Sequence, residues 1–152
     1  MSLERRKRHL KILELVTTRP MRTQDDLTEA LAQEGWDVTQ SSVSRDISTL
    51  GLVKVDGIYR RAPAARMRQF ADPNERRLAE SLLSVDVAGD AMIVLHTPPG
   101  EAQRVGNALD LLVWPEVVGT IAGDDTIFVA VANAVSQARV ANRLTAILDG
   151  RT

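Results

Sequence analysis

Two acidic residues stand side by side at Asp124 and Asp125, in a predicted tight turn between two apolar runs. Adjacent carboxylates repel each other, so we expect a cation to compensate their charge. Gln103 and Asp110 lie on one predicted helix, and the two turns between them return their side chains to azimuths about 20° apart. These four side chains could form an acidic cup for a metal ion or for a ligand with an amine or a guanidinium, whose planar fork fits a carboxylate. Solvated turn and helix-end residues are the alternative interpretation.

A second set of polar residues lies on the helix predicted over residues 39–50. With successive residues about 100° apart, Val43, Ile47 and Leu50 form one buried stripe. The opposite face carries small hydroxyl groups around one guanidinium: Ser41, Ser44, Arg45 and Ser48. Short serines let a helix approach DNA closely, and an arginine can bind guanine or a phosphate through two hydrogen bonds. This face therefore favours contact with DNA.

Three helices are predicted in the first half of the chain. Apolar residues at helical spacing define the first, over about residues 3–16. The second begins at Thr23, which forms a variant of the capping box with Asp26, and it ends at Gly35. The third is the helix over residues 39–50, which presents the hydroxyl groups.

A β-hairpin follows these helices. The β-prone runs at residues 52–55 and 58–61 are joined by Asp56-Gly57, the pair that a type I′ turn favours. Three helices and a hairpin predict a winged helix-turn-helix, whose second helix of the pair enters the major groove. Phosphates would be neutralised by a set of cations: Lys54, Arg60, Arg61 and the cluster Arg5–Arg8. A three-helix bundle that contacts only protein is the alternative.

A linker and a second domain make up the rest of the chain. Residues 62–75 show no clear period, and we place the linker over residues 66–75, between domains of residues 1–65 and 76–152. Strands and helices then alternate: strands near 85–87, 91–96, 117–122 and 126–131, and helices near 78–83, 101–112 and 136–148. This pattern predicts one sheet with helices against one face, a two-layer α/β domain in a chain of the α+β class.

The charge is divided unevenly between the two halves of the 152-residue chain. Residues 1–70 carry 13 Lys+Arg and 9 Asp+Glu, a balance of +4, whereas the remainder carries 6 and 11, a balance of −5. This asymmetry suggests a half that binds nucleic acid and an acidic half that attracts cations, although solvated faces can differ in this way by chance.

Several classes of protein are disfavoured. The chain has no cysteine, which excludes disulfides, iron–sulfur clusters and thiolate zinc sites, and its two histidines cannot make an all-histidine metal site. No run approaches the ~20 apolar residues of a membrane span, and the polar, basic residues 1–11 predict no signal peptide. No nucleophile motif or phosphate-binding glycine loop is present, so we expect neither an enzyme nor a bound metal.

Three strings in the sequence resemble signatures of one family. Residues 38–46 read VTQSSVSRD, which is similar to the recognition-helix signature of bacterial arginine repressors. Residues 119–127 read GTIAGDDTI, which resembles their arginine-binding signature. Residues 97–103, TPPGEAQ, and the helix that follows to Asp110 also resemble that family. The order and spacing of the strings match it across nearly the whole chain.

The resemblance implies a fold and a function. An N-terminal winged-helix domain would bind palindromic operator DNA, and a C-terminal domain would bind L-arginine as corepressor and assemble the chain into a hexamer of two stacked trimers. The protein would be a cytoplasmic repressor of arginine metabolism genes. The DNA contacts would come from Gln40, Ser41, Ser44 and Arg45. The arginine site would comprise Gln103, Asp110, Thr120, Ala122, Asp124 and Asp125.

Within that site, the resemblance implies that Asp124 and Asp125 pair with the ligand, one of them from a neighbouring subunit. Thr120 and Ala122 would contribute backbone groups. The wing of this chain has a turn of only two residues, which is shorter than the turn that relatives often have. The alternatives are a regulator of the same architecture that senses lysine or ornithine, a pure assembly protein, and an enzyme that consumes arginine.

Overall fold

The structure, a computed structural model, describes residues 3–61 and 70–150. It divides into two compact units, Met1–Pro63 and Ala64–Thr152. Residues 66–69 of the predicted linker lie outside the described residues. The remainder of that stretch is structured, because Phe70 is buried in the core of the second unit and a helix begins at Pro73.

The first unit contains three helices and a hairpin. The helices are α1 (Leu3–Thr18), α2 (Gln24–Gln33) and α3 (Gln40–Thr49), and the strands are β1 (Leu52–Val55) and β2 (Ile58–Arg61). α1 continues two residues past its predicted end. Thr17 and Thr18 donate their hydroxyl hydrogens to the carbonyls of Leu13 and Glu14, so these β-branched residues are accommodated in the last turn.

The local signals in this unit are confirmed. The Thr23 hydroxyl accepts a 3.0 Å hydrogen bond from the Asp26 amide, and the Asp26 carboxylate accepts from the amide of Thr23 at 3.0 Å and of Arg22 at 2.9 Å. These backbone hydrogen bonds lower the pKa of Asp26. Asp56 and Gly57 both have positive φ, 53° and 75°, as the type I′ turn requires.

The second unit is a four-stranded antiparallel sheet with three helices. Its elements are α4 (Pro73–Ser81), β3 (Ser84–Ala88), β4 (Met92–His96), α5 (Ala102–Leu111), β5 (Val117–Ala122), β6 (Thr126–Val131) and α6 (Ala134–Leu148). The strand order is β3-β4-β6-β5, which puts β5 at one edge. α6 begins two residues earlier than predicted because the Asn133 side chain caps it, accepting from the Ser136 amide at 2.9 Å. The predicted α+β class is confirmed.

The helices cover one face of this sheet. Alternate strand residues such as Ile93, Leu95, Ile127 and Val129 are buried in one core with residues of α4, α5 and α6. The other face, which we call the open face, is largely apolar, and none of the described helices of the second unit covers it. It carries Ile121 opposite Phe128, which are 76% and 49% exposed, together with Met92 on the neighbouring strand.

No helix within residues 3–61 and 70–150 is both long enough and apolar enough to cross a bilayer.

Candidate functional site

The first candidate site is the outward face of α3. Thr39 caps the helix by accepting a hydrogen bond from the Ser42 amide at 3.2 Å. Val43 and Ile47 are buried, as the predicted stripe requires, and Leu50 is half-buried at the C-cap. The four predicted DNA contacts fall on the other side. Gln40, Ser41 and Arg45 are exposed, and Ser44 is half-buried.

Asp46 is a functional candidate that sequence reasoning missed. It lies on α3 but is only 1% exposed. Its Oδ2 accepts a 2.6 Å hydrogen bond from Arg8 Nε, and its Oδ1 lies 3.1 Å from Arg8 Nη2 and 2.8 Å from His9 Nε2. Arg5 Nε is 3.9 Å from the same Oδ1. A carboxylate on the inward side of a helix, next to a buried isoleucine, was the available signal, since buried charges need partners.

The ion pair changes the interpretation of the basic cluster at the start of α1. Arg8 was expected to neutralise DNA phosphate, but its guanidinium donates hydrogen bonds to the Asp46 carboxylate. These hydrogen bonds raise the pKa of Arg8. Burial raises the pKa of the Asp46 carboxyl, but the hydrogen bonds from Arg8 and His9 outweigh it and leave that pKa lowered. Asp46 is therefore an ionised group held between cationic or donor side chains.

The hairpin presents further cations. Lys54 and Arg60 are exposed, and the Lys54 ammonium lies 5.0 Å from the centre of the Tyr59 ring. Tyr59 is buried, and its amide donates a 2.7 Å hydrogen bond to the Met21 carbonyl. The short wing is thus attached to the helical part of its own unit, and its cations face water.

The second candidate site lies where α5 packs against β5. The side-chain amide of Gln103 donates a 2.8 Å hydrogen bond to the backbone carbonyl of Ala122. The Thr120 hydroxyl donates a 2.8 Å hydrogen bond to Asp110 Oδ1. We call these two pairs and the residues between them the α5–β5 seam. Gly106 lies inside it, where an added Cβ would be 3.3 Å from the Ala122 Cβ. A glycine in mid-helix was the sequence signal for this close approach.

The Asp124-Asp125 turn adjoins the seam through backbone contacts. The Asp124 carbonyl accepts hydrogen bonds from the amides of Gly100 at 3.0 Å and Ala102 at 3.2 Å, at the start of α5. The Asp125 carbonyl accepts from the Thr97 amide at 2.8 Å. The structure therefore brings the predicted string at residues 97–103 against the predicted acidic turn.

Both aspartate side chains of that turn are exposed. Asp125 Oδ1 accepts a 2.8 Å hydrogen bond from the Thr126 hydroxyl, a contact that sequence reasoning did not anticipate. All six predicted ligand residues thus lie on the seam or on the turn beside it. Exposed carboxylates next to carbonyl and amide groups can bind a cation that also carries several hydrogen-bond donors.

The described residues contain no candidate metal centre. Within residues 3–61 and 70–150, no group of three histidine, aspartate or glutamate side chains is arranged to hold a metal ion.

Comparison with protein families matches both units of the chain. Residues 3–61 match the DNA binding domain of the arginine repressor, and residues 78–146 match the arginine repressor C-terminal domain. The chain belongs to the arginine repressor family. Its members are DNA-binding transcriptional repressors, and the resemblance carried by the three strings is confirmed.

Curated arginine repressors align with most of the chain. The arginine repressor of Symbiobacterium thermophilum is 44% identical over 146 residues, which cover 93% of this chain and 97% of the relative. The arginine repressor of Bacillus subtilis is 42% identical over 145 residues, with the same coverage of both chains. The family assignment therefore extends over both units.

Proposed function

We propose that this chain is an L-arginine-dependent repressor of arginine metabolism genes, which binds palindromic operators as a hexamer of two stacked trimers. One observation carries the proposal. The seam, which contains Gln103, Asp110, Thr120 and Ala122, ends beside the exposed turn of Asp124 and Asp125. Residues that are far apart in sequence thus lie along one contact between a helix and a strand in an arginine repressor C-terminal domain.

L-Arginine suits this surface chemically. Its guanidinium offers five N–H donors in a planar fork, and its α-ammonium is a second cation, so the two ends can engage both turn aspartates. Ala122 and Asp110 still have acceptor capacity after their hydrogen bonds with Gln103 and Thr120, because a carbonyl oxygen has two lone pairs and a carboxylate about four acceptor sites. In the proposal, one of the two turn aspartates is supplied by a neighbouring subunit.

Neutralisation of the acidic turns by L-arginine would couple ligand binding to assembly. Acidic turns brought together across an interface between trimers repel each other, and a ligand that carries two cationic groups relieves that repulsion. L-Arginine would then stabilise the stacked state by its differential affinity for that state. The apolar open face provides surface that oligomerisation can bury within each trimer.

DNA recognition is proposed for the first unit. Gln40, Ser41, Ser44 and Arg45 on α3 would read the major groove, while Lys54 and Arg60 would contact phosphates. We assign DNA binding to residues 1–65, and ligand binding and oligomerisation to residues 76–152 together with residues 70–75, which were predicted as linker but contribute Phe70 and the start of α4 to the second unit. The protein would act in the cytoplasm, without enzymatic activity.

A gel shift tests this proposal. A duplex that the protein itself selects from a random-sequence pool is titrated with the full chain, with and without millimolar L-arginine. Tightening by L-arginine but not by lysine or ornithine supports the proposal. Equal tightening by lysine or ornithine favours a sensor of another cationic amino acid, and binding that ignores all three overturns the corepressor role. Loss of L-arginine from the solution over time would identify an enzyme.

A further inference from the structure

We propose that Arg8 and His9 on α1 are positioning residues that hold the α3 carboxylate of Asp46 and thereby fix the orientation of the DNA-reading face. This inference rests on the proposed function of α3. Arg8 and His9 would then affect which sequence is bound without touching DNA.

The geometry of the network is directional. Arg8 contacts both oxygens of one carboxylate, at 2.6 and 3.1 Å, and the neighbouring His9 adds a third contact at 2.8 Å. A two-point contact between guanidinium and carboxylate fixes direction as well as distance. Asp46 is 1% exposed and His9 is 6% exposed, so water does not readily compete for these hydrogen bonds.

The apolar contacts of α3 do not supply the same constraint. Val43 and Ile47 are buried on the inward side, but hydrophobic attraction has no preferred direction. A buried ion pair is often no more stabilising than apolar packing of the same volume, so the distinctive contribution of this pair is its fixed direction. Among the described polar contacts, the Asp46 network links α1 to α3.

The position of Asp46 in the sequence makes it an effective anchor for the reading face. It directly follows Arg45, and successive helical side chains diverge by about 100°, so one residue points inward and the other outward. Helical side chains reach about 5–6 Å from the helix axis, and a rotation of about 10° therefore displaces their ends by about 1 Å. A binding group works only within about 0.5 Å of its productive position.

The test compares sequence discrimination among variants of the full chain. Affinity is measured by fluorescence anisotropy for the selected duplex and for a shuffled duplex, at several salt concentrations with saturating L-arginine. The variants are Arg8→Ala, Arg8→Lys, His9→Gln and Asp46→Asn. The matched control is Lys11→Ala, which breaks the ion pairs of Lys11 with Glu14 at 3.1 Å and with Glu34 at 3.5 Å and leaves Asp46 untouched.

We expect Arg8→Ala and Asp46→Asn each to weaken binding to the selected duplex about tenfold, the value of one lost base contact. Binding to the shuffled duplex and the salt dependence should remain as in the wild type. The double variant that combines Arg8→Ala with Asp46→Asn should bind the selected duplex no more weakly than the weaker of the two single variants. Arg8→Lys keeps the charge but not the fork, so it should lose part of the discrimination. Lys11→Ala should keep all of it.

Three different outcomes would contradict the inference. If Arg8→Ala weakens both duplexes equally and lowers the salt slope by about one, Arg8 contacts phosphate and the inference is wrong. Unchanged discrimination in folded Arg8→Ala and Arg8→Lys also overturns it, even if Asp46→Asn fails to fold. If the wild type itself cannot distinguish the two duplexes, the proposed function fails and this inference fails with it.

Discussion

The Gln103 side-chain amide on α5 donates a 2.8 Å hydrogen bond to the backbone carbonyl of Ala122 on β5. Ala122 is separated by one residue from the turn that carries Asp124, whose own carbonyl accepts hydrogen bonds from the start of α5. The acidic turn is therefore held against α5 at two successive points. A site built in this way is organised before a ligand arrives, which reduces the entropy lost on binding.

Asp125→Asn should abolish the response to L-arginine while leaving the fold intact. The substitution removes one charge from an exposed side chain, and the amide oxygen can still accept the hydrogen bond of Thr126. Calorimetric titration with L-arginine should show at least a tenfold loss of affinity, about 1.4 kcal/mol or more. Asp90→Asn, which changes an exposed aspartate in the turn before β4, is the matched control. A normal titration by Asp125→Asn would remove this residue from the site.

Arg45→Ala should abolish selective binding to the operator and preserve L-arginine binding. Arg45 is exposed on the outward side of α3, and a bidentate contact with guanine contributes about 1–3 kcal/mol of discrimination. Gel shifts at moderate salt measure the loss, and calorimetry measures the retained ligand affinity. Arg139→Ala, which removes an exposed cation from α6, controls for net charge. Unchanged operator affinity would exclude Arg45 from the reading face.

Acid should weaken the Asp46 network. Because the pKa of Asp46 is lowered in the folded protein, its contribution to stability is full above the unfolded pKa of about 3.9 and is lost as pH falls through the lowered folded value. The free energies of unfolding of wild type and Asp46→Asn should thus differ by about 3–5 kcal/mol at neutral pH and converge in acid. Asp37→Asn, at an exposed position before α3, is the reference variant. A difference that stays constant from neutral pH to strong acid would contradict the assignment.

Thr23→Ala should destabilise the first unit by about 1 kcal/mol, the usual cost of losing an N-cap hydroxyl. The capping box would lose the hydrogen bond from the Asp26 amide. The melting temperature of this small unit should fall by about 4–8 °C. Thr28→Ala removes a threonine from the interior of the same helix, where alanine has the higher helix propensity, and it should not lower the melting temperature. Equal effects of the two substitutions would refute the role of the cap.

Val113→Gly should stabilise the second unit. Val113 follows the C-cap of α5 with φ of +49°, a conformation that costs a β-branched residue about 1–2 kcal/mol and glycine almost nothing. The greater freedom of glycine in the unfolded chain offsets part of this gain, so we expect a net increase of about 0.5–1 kcal/mol in the free energy of unfolding. Val113→Ala retains a Cβ and should gain less. A lower stability of Val113→Gly in chemical unfolding would show that the valine side chain makes a compensating contact.

Local signals predicted most of the elements because caps and turns depend on neighbours in sequence. Thr23 with Asp26 marked one helix start, and Asp56-Gly57 marked the hairpin, since each pair acts within a few residues. Asp124 and Asp125 were predicted as ligand residues from their acidic type and from the string GTIAGDDTI at residues 119–127.

The features that sequence reasoning missed depend on distant partners. A helical wheel places Asp46 inward but cannot reveal that Arg8, 38 positions away, reaches it. In the sequence, Gly106 stands out only as a glycine inside a helix, and the reason for it is the close approach of Ala122 on β5. The order β3-β4-β6-β5 likewise depends on how strands pair in space, which alternation of side chains does not encode.

The open face of the sheet affects the cellular fate of a newly synthesised chain. The helices and the sheet can form within one polypeptide, but Ile121 and Phe128 stay in contact with water as long as no partner covers them. Exposed apolar side chains are the feature that chaperones and proteases act on in incompletely assembled proteins. If the chain assembles into the proposed hexamer, subunits made in excess would be removed first, and the amount of this protein in a cell would depend on assembly as well as on transcription.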